Sequence, residues 1–539
     1  MKRLSNRGAC VSNRVSSSSI PFIDHDEDEV EQQLEPLIYQ RTVKHHTMTI
    51  WSILATCIAC LGGFLFGYDL GVVGGMLIAP SFQIYFGIDP NNATQEAEIN
   101  GNIVSVLQVG CLCGSLLATS TADALGRKYS IMTAAFVFTI GGVFQIIGYN
   151  LMVLYLGRVI SGLGTYRFYA GSREYQIKKR MLISLLFRLQ IYVAEIAHQR
   201  HRGLLGGLWM FFIATGLAAS YWSHYIVRKF VDEHDNLLWR IPLIIQIFPS
   251  VLLLLGMTLL FETPRWLCSH GKPEDASRVL CKIRDMHDVK EEMEQIQNSL
   301  SLQFQNTSWE QTLASPNRRR LFLGCALQAL QQMTGTNLIN YFSPIIFKSI
   351  GLSSSEAELL ATGVYGILKM IVVLIGFSSL IDRFGRRPLL IGGGCAMGIC
   401  MYAVSICVAS NPIANKKPQN NEGSPIPAAA ILGIMFMYSY AVFFALSWGP
   451  CPWLYCSEIY PMSARAKSTS LTTAVNWIFN AIIGKVSPIM LASSVVWTYV
   501  FFGSWCIASS IFCYIFVPET KVGSYQMFDN IWKNIGRDQ

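Results

Sequence analysis

Twelve apolar stretches, most of them close to 20 residues long, run through this chain and leave it few ways to fold. They fall at roughly 50–79, 101–120, 130–148, 151–164, 204–223, 241–261, 321–347, 358–381, 388–409, 428–456, 469–490 and 494–517. A helix needs about 20 apolar residues to cross the hydrocarbon layer of a bilayer. Inside that layer each backbone polar group must be satisfied within the segment, which a helix does. Charged residues make up only 14% of the 539, against about 25% in soluble proteins, and they crowd into 1–50 and 262–320. The expectation is an all-α polytopic membrane protein of twelve crossings, the fourth in doubt. A soluble enzyme, a disordered chain and a secreted disulfide scaffold are excluded.

The net charge of +8 does not point to nucleic acid. The Lys and Arg sit in short clusters between apolar runs, as they do in cytoplasmic loops. Arg127, Lys128, Arg200, Arg202, Arg383, Arg386, Arg387, Arg465 and Lys467 fall on one side, and the loop 262–320 adds further basic residues there. The opposite loops are poorer, although Arg228, Lys229, Lys416 and Lys417 keep them from being empty. Both termini are therefore expected in the cytoplasm. The sequon Asn92-Ala-Thr94 then faces outside and is open to glycosylation, whereas the one at Asn306 faces inside. Most cysteines, among them Cys57, Cys111 and Cys400, lie inside apolar stretches and read as small hydrophobes. The pair Cys111-Leu-Cys113 lacks the His or acidic neighbour that a metal site needs. The loops show no nucleophile–base pair and no metal cluster, so neither an enzyme nor a resident cofactor is expected.

Residues 1–48 are polar and Ser-rich, with an acidic run from Asp24 to Glu31. They read as a disordered cytoplasmic tail. The loop 262–320 divides the crossings into two sets of six, 49–261 and 321–517, and its helical composition over 274–300 predicts short helices there. Residues 518–539 form a second tail.

The two halves repeat. Asp123-Ala-Leu-Gly-Arg127-Lys128 follows the second crossing, and Asp382-Arg-Phe-Gly-Arg386-Arg387 follows the eighth. Ordinary positively charged loops would explain either one alone, but a matched pair is harder to obtain by chance. Likewise Glu195 to Gly203, with Arg202, closes the fourth crossing, and Glu458-Ile-Tyr-Pro-Met-Ser-Ala-Arg465 closes the tenth. Further motifs keep one order over about 50–521: Phe66-Gly-Tyr-Asp69, Gly157-Arg158, Glu262-Thr-Pro-Arg265-Trp266, Gln331-Gln332-Met-Thr-Gly-Thr-Asn337, Gly449-Pro-Cys-Pro-Trp453, Asn476-Trp477 and Pro518-Glu-Thr-Lys521. In these motifs the chain resembles the sugar porters of the major facilitator superfamily, most of all fungal monosaccharide transporters. The resemblance implies a major-facilitator fold of twelve transmembrane helices in two six-helix bundles, a multi-pass plasma-membrane location, a monomer, and monosaccharide (hexose or pentose) transport by alternating access.

A sugar presents hydroxyls and a flat apolar face, which amide side chains and an aromatic wall can bind. Segment seven supplies Gln331, Gln332 and Asn337, segment ten supplies Trp453, and segment eleven supplies Asn476 and Asn480. In the family the residues matching the glutamines, Asn337, Trp453 and Asn476 contact the sugar, with Phe66 facing them. Helix–helix hydrogen bonding is the alternative role for such buried amides. Ionisable groups inside apolar helices are expensive and usually functional. The family's proton-coupled members carry an Asp matching Asp69, with Arg158 as its partner, so protons are expected as the coupled ion. The resemblance makes Asp123, Arg127, Glu195, Arg202, Asp382, Arg386, Glu458 and Arg465 a gating network on the cytoplasmic side. Lys369, within segment eight, is expected to snorkel to the membrane surface rather than to join the proton path. A facilitative uniporter, a sugar sensor that does not transport, and an inactive product of a faulty gene model remain as alternatives.

Two departures stand out. Between Gly164 and Tyr192 the chain runs through Arg167, Arg173, Lys178, Lys179, Arg180 and Arg188, where each charge at a helix centre costs about 2.5–3.5 kcal/mol. The stretch 165–191 is longer than the family pattern and reads as translated intron sequence, with 181–197 as a cramped alternative crossing. In segment five, Met210 stands where the family places a sugar-binding Gln.

Overall fold

The computed structural model describes residues 50–89, 92–165, 202–283, 286–303, 313, 317–352, 354–376, 383–410, 427–461 and 464–520. Glu195, Asp382 and nearly all of 165–191 lie outside the described residues, as do 1–49 and 521–539. Every described residue is helix, turn or short connection, and none is in a strand.

The first half contains α1 (Ile50–Leu77), a short α2 (Pro80–Tyr85), α3 (Ala93–Leu125), α4 (Arg127–Ile147), α5 (Leu151–Thr165), α6 (Arg202–Phe230) and α7 (Leu237–Leu259). The connecting region holds α8 (Pro264–Ser269), α9 (Pro273–Ile283) and α10 (Met286–Gln303). The second half contains α11 (Asn317–Met333), α12 (Thr336–Ile350), α13 (Ser355–Gly376), α14 (Arg386–Ala409), α15 (Ala428–Leu446), α16 (Cys451–Ile459), α17 (Arg465–Ser493) and α18 (Val495–Phe516). Among the described residues, eight helical spans are long and apolar enough to cross a membrane, with α15 and α16 forming one of them. The other four predicted crossings correspond to α3, the short α5, α6 and the broken pair α11–α12.

Small residues let these helices approach closely where no hydrophobic drive separates protein from lipid. A Cβ on Gly67 of α1 would lie 1.9 Å from the Ile213 carbonyl oxygen of α6, and one on Gly216 would lie 2.0 Å from that of Phe64. The two helices therefore touch backbone to backbone.

The internal repeat closes in the same way in both halves. Gly126 before α4 has φ 89°, ψ 170°, and Gly385 before α14 has φ 87°, ψ 170°, a conformation that side chains beyond glycine disfavour. A carboxylate caps each of the helices that follow. Glu262 accepts from the backbone N–H groups of Arg127 (2.9 Å) and Lys128 (3.1 Å), and Glu519 from those of Arg386 and Arg387 (both 3.0 Å). A negative group there offsets the orphan N–H groups of a helix start. Burial pushes the Glu262 carboxyl up from its ordinary value, against the downward pull of the N–H groups of Thr263, Arg127 and Lys128.

The halves meet through α3 with α17, α6 with α13, and α1 with α12. Under the repeat, segment two corresponds to eight and five to eleven, so the first two of these contacts exchange with each other. All three are tight at the end away from the connecting helices. There Lys485 Nζ donates to Asn102 Oδ1 at 2.6 Å, Trp222 Nε1 donates to the Gly363 carbonyl at 3.2 Å, and a Cβ on Gly74 would lie 2.8 Å from the Tyr341 carbonyl.

Candidate functional site

The segment-seven motif sits where its helix breaks. Gly335 adopts a left-handed conformation (φ 86°, ψ 8°) that separates α11 from α12, and a Cβ there would lie 2.8 Å from Phe502. The break frees the Thr334 carbonyl, which accepts from the Tyr440 hydroxyl at 2.9 Å. It also lets amides from both short helices converge. A second interruption, between α15 and α16, exposes the carbonyls of Trp448 and Gly449, and Gln331 Nε2 donates to both, at 2.7 and 3.0 Å.

Gln331 and Asn476 come together, since Asn476 Nδ2 donates to Gln331 Oε1 at 3.1 Å and to Gln328 Oε1 at 2.7 Å. Gln332 and Asn337 form a second pair, the Asn337 amide donating to the Gln332 side-chain oxygen. Asn480 accepts from the Tyr341 hydroxyl at 3.1 Å, and that hydroxyl accepts from Gln108 of the first half at 2.8 Å. All of these residues are buried. Trp453 is partly buried on α16. Phe66 is partly buried too and meets the edge of Trp477, ring centroids 6.1 Å apart.

Gln328, Asn340, Tyr341 and Gln108 are members of this network that sequence reasoning passed over. The signal for two of them was helical spacing: Gln328 lies three residues before Gln331, and Asn340 three after Asn337, on the same faces. Gln108 and Tyr341 carried no such signal, because their contact joins residues 233 apart in sequence.

Asp69 and Arg158 are both buried in the first half, at 3% and 1% exposure. No direct ion pair joins them. Gln246 Nε2 of α7 donates to Asp69 Oδ1 at 2.9 Å, while Arg158 donates to Gln145 Oε1 at 3.3 Å. They remain near enough to interact electrostatically, and Tyr341 lies within the same field. The Arg158 Nε and the Gln246 Oε1 have no hydrogen-bond partner. Gln246 and Gln145 were also missed, each a lone amide in an apolar run.

Lys369 does not snorkel. Its Nζ turns into the protein and donates to Asn340 Oδ1 at 3.1 Å, beside the rings of Phe444 and Tyr365. The acceptor and the two rings hold the ammonium inside, where a lipid-facing lysine would have reached for the surface.

Of the gating residues, Arg386 donates from its guanidinium to Glu458 Oε1 at 2.9 Å, and the other oxygen of Glu458 accepts from the Thr520 hydroxyl at 2.6 Å. Arg465 donates to the Tyr460 carbonyl at 3.3 Å. These contacts, and that of Arg127 with Glu262, stay within one half. The backbones of Asp123 and Arg202 are helical, and their side chains lie outside the described residues.

A pseudo-repeated bundle of membrane-length helices, with buried amides at its midline and a buried Asp and Arg beside them, defines a membrane carrier. The model of the family "Sugar (and other) transporter" matches residues 55–172 and 189–532, and the chain belongs to that family. A probable quinate permease of Aspergillus fumigatus is 32% identical over 492 residues, covering 87% of this chain and 85% of that protein. The quinate permease of Neurospora terricola is 30% identical, covering 89% and 88%. Among solved structures, the partially occluded, inward-open xylose transporter XylE of E. coli is similar with a TM-score of 0.71 and 25% identity, over 88% of this chain and 99% of that one. A second structure, described as a proton:xylose symporter and bound to 6-bromo-6-deoxy-D-glucose, gives 0.68 and 25%, over 89% and 99%. The chain is a multi-pass membrane protein of the major-facilitator fold and a sugar-porter-type transporter. The family match leaves out 173–188, inside the stretch whose charges disagree with a membrane crossing.

Proposed function

We propose that this protein is a plasma-membrane symporter that carries a small polyhydroxylated ring together with a proton, by alternating access. The carrying observation is the amide and hydroxyl network at the break between α11 and α12, joined through Tyr341 to Gln108 of the first half. A ring polyol can exchange its hydroxyls for those internal hydrogen bonds as it enters, drawing the halves together. Quinate and xylose, named for the relatives, are both molecules of this kind.

Asp69 is the proton carrier in this reading. When ionised it interacts with Arg158 and accepts from Gln246. When protonated it no longer attracts Arg158, and that loss favours reorientation with cargo bound. Close contact between the halves away from the connecting helices supports an inward-facing state, with the connecting helices in the cytoplasm.

The test is uptake of radiolabelled glucose, xylose and quinate in yeast lacking hexose uptake, with and without a protonophore, alongside a version with 173–188 removed. Accumulation that the protonophore abolishes is the expected result. Protonophore-insensitive equilibration would make the protein a uniporter, and no uptake by either version at the cell surface would end the transport reading.

A further inference from the structure

Lys369 is a charged group in the polar centre that neither the binding of a neutral sugar nor the proton coupling given to Asp69 requires. Its ammonium lies on α13 against Asn340, which is tied to the sugar-site amides, since Asn340 Nδ2 donates to Asn337 Oδ1 at 3.3 Å. The Tyr365 hydroxyl donates to the same Asn340 oxygen at 3.3 Å, and the Tyr221 hydroxyl of the first half donates to the Asn340 carbonyl at 2.8 Å. Asn340 is therefore held from both halves, and the lysine hangs from it.

Around that ammonium are one amide oxygen and the rings of Tyr365 and Phe444, at 5.9 and 5.4 Å. No carboxylate among the described residues pairs with it. A cation in a membrane helix is retained against its desolvation cost only where something answers its charge. A neutral amide acceptor would be served as well by a glutamine or a tyrosine. Asp69 does not answer it, because Asp69 is bound by Gln246 and offset by Arg158.

We propose that the missing anion is on the cargo: Lys369 pairs with a carboxylate of the transported ring polyol, so the substrate is a sugar acid or cyclitol acid rather than a neutral sugar. This rests on the symporter reading above and narrows its substrate class. The amides of α11, α12 and α17 bind the ring hydroxyls, and the carboxylate displaces Asn340 as the main acceptor for the ammonium. One carboxylate entering with one proton on Asp69 moves no net charge.

The experiment uses the full chain, purified and reconstituted in liposomes under an inward proton gradient. Galactose and galacturonate form a matched pair differing only at the carboxylate, and quinate is a second acid probe. The wild type is expected to take up at least one acid tenfold or more faster than galactose. Lys369→Met should lower the ratio of acid to galactose uptake at least tenfold, and Lys369→Arg should keep part of that ratio. Galactose preferred by the wild type, or Lys369→Met lowering acid and sugar in equal proportion, overturns the inference and leaves symport standing. Uptake of neither overturns both readings. Should Lys369→Met fail to fold, thermal protection of the wild type decides: protection by quinate or galacturonate but not galactose supports the pairing, and the reverse ends it.

Discussion

Asp69 and Tyr341 carry the residue-scale consequences of this arrangement. Asp69→Asn keeps the hydrogen bond with Gln246 and removes the titrating proton. It is expected to abolish accumulation, bringing internal and external substrate to a ratio of about one, while exchange across the membrane persists. Counterflow beside net uptake measures the two, and accumulation by Asp69→Asn would sink the role given to this residue. Tyr341→Phe removes the hydroxyl shared by Gln108 and Asn480. Leaving two buried amides short of a partner costs about 1–3 kcal/mol, so the unliganded protein should melt several degrees lower, read by thermal unfolding of the purified protein; unchanged melting would mean that the two amides find other partners. Part of this arrangement was legible: of the amides read from the sequence, Gln331 meets Asn476 and Gln332 meets Asn337, because amides inside an apolar segment need polar partners. Lys369 was misread because nothing in its own segment names Asn340, which comes from the neighbouring helix.

Among the elements, the two motif loops show how one local sequence serves twice. Gly126 and Gly385 share φ and ψ within a few degrees, and both lie under a carboxylate from a later helix end. Gly126→Ala and Gly385→Ala each place a Cβ against that carboxylate, 2.2 Å from Glu262 and 2.7 Å from Glu519. A residue held in such a conformation loses about 1–3 kcal/mol, so each variant should melt several degrees lower in detergent. Unchanged melting would mean that the loop adjusts freely. The repeat itself was readable from spacing, but the capping role of Glu262 and Glu519 was not. Each acts more than a hundred residues away from the helix that it closes. The helical segments were legible for a simpler reason, the length that a bilayer imposes. The break at Gly335 was visible only as a glycine between two threonines. The stretch that leaves the family match, 173–188, is expected to be dispensable: removing it should raise surface expression several-fold, and a transcript lacking its codons should be found by sequencing.

At the scale of the whole molecule, the pairing of α3 with α17 and of α6 with α13 makes the two halves a symmetric hinge whose closed end lies away from the connecting helices. Transport requires that end to open, so its stability sets the population of the opposite state. Gly101 of α3 is the tightest lever there, because a Cβ would lie 2.6 Å from the Lys485 carbonyl of α17, a backbone atom that cannot swing aside. Gly101→Leu should force the two helices apart, and Lys485→Met should remove the ammonium that holds Asn102. Both changes act on the closed state and leave the amide network at the midline untouched. A bias of about 1.4 kcal/mol changes the population ratio tenfold. A cysteine introduced at Ser105, one turn further along α3 and beside Gly484 of α17, in a background whose own exposed cysteines are replaced, would report the opening through its rate of labelling by an impermeant maleimide added from that side. Labelling about tenfold faster with Gly101→Leu, together with slowed net uptake and retained substrate protection, is the expected result. Unchanged labelling in a folded variant would mean that the observed contacts are not the ones the carrier must break.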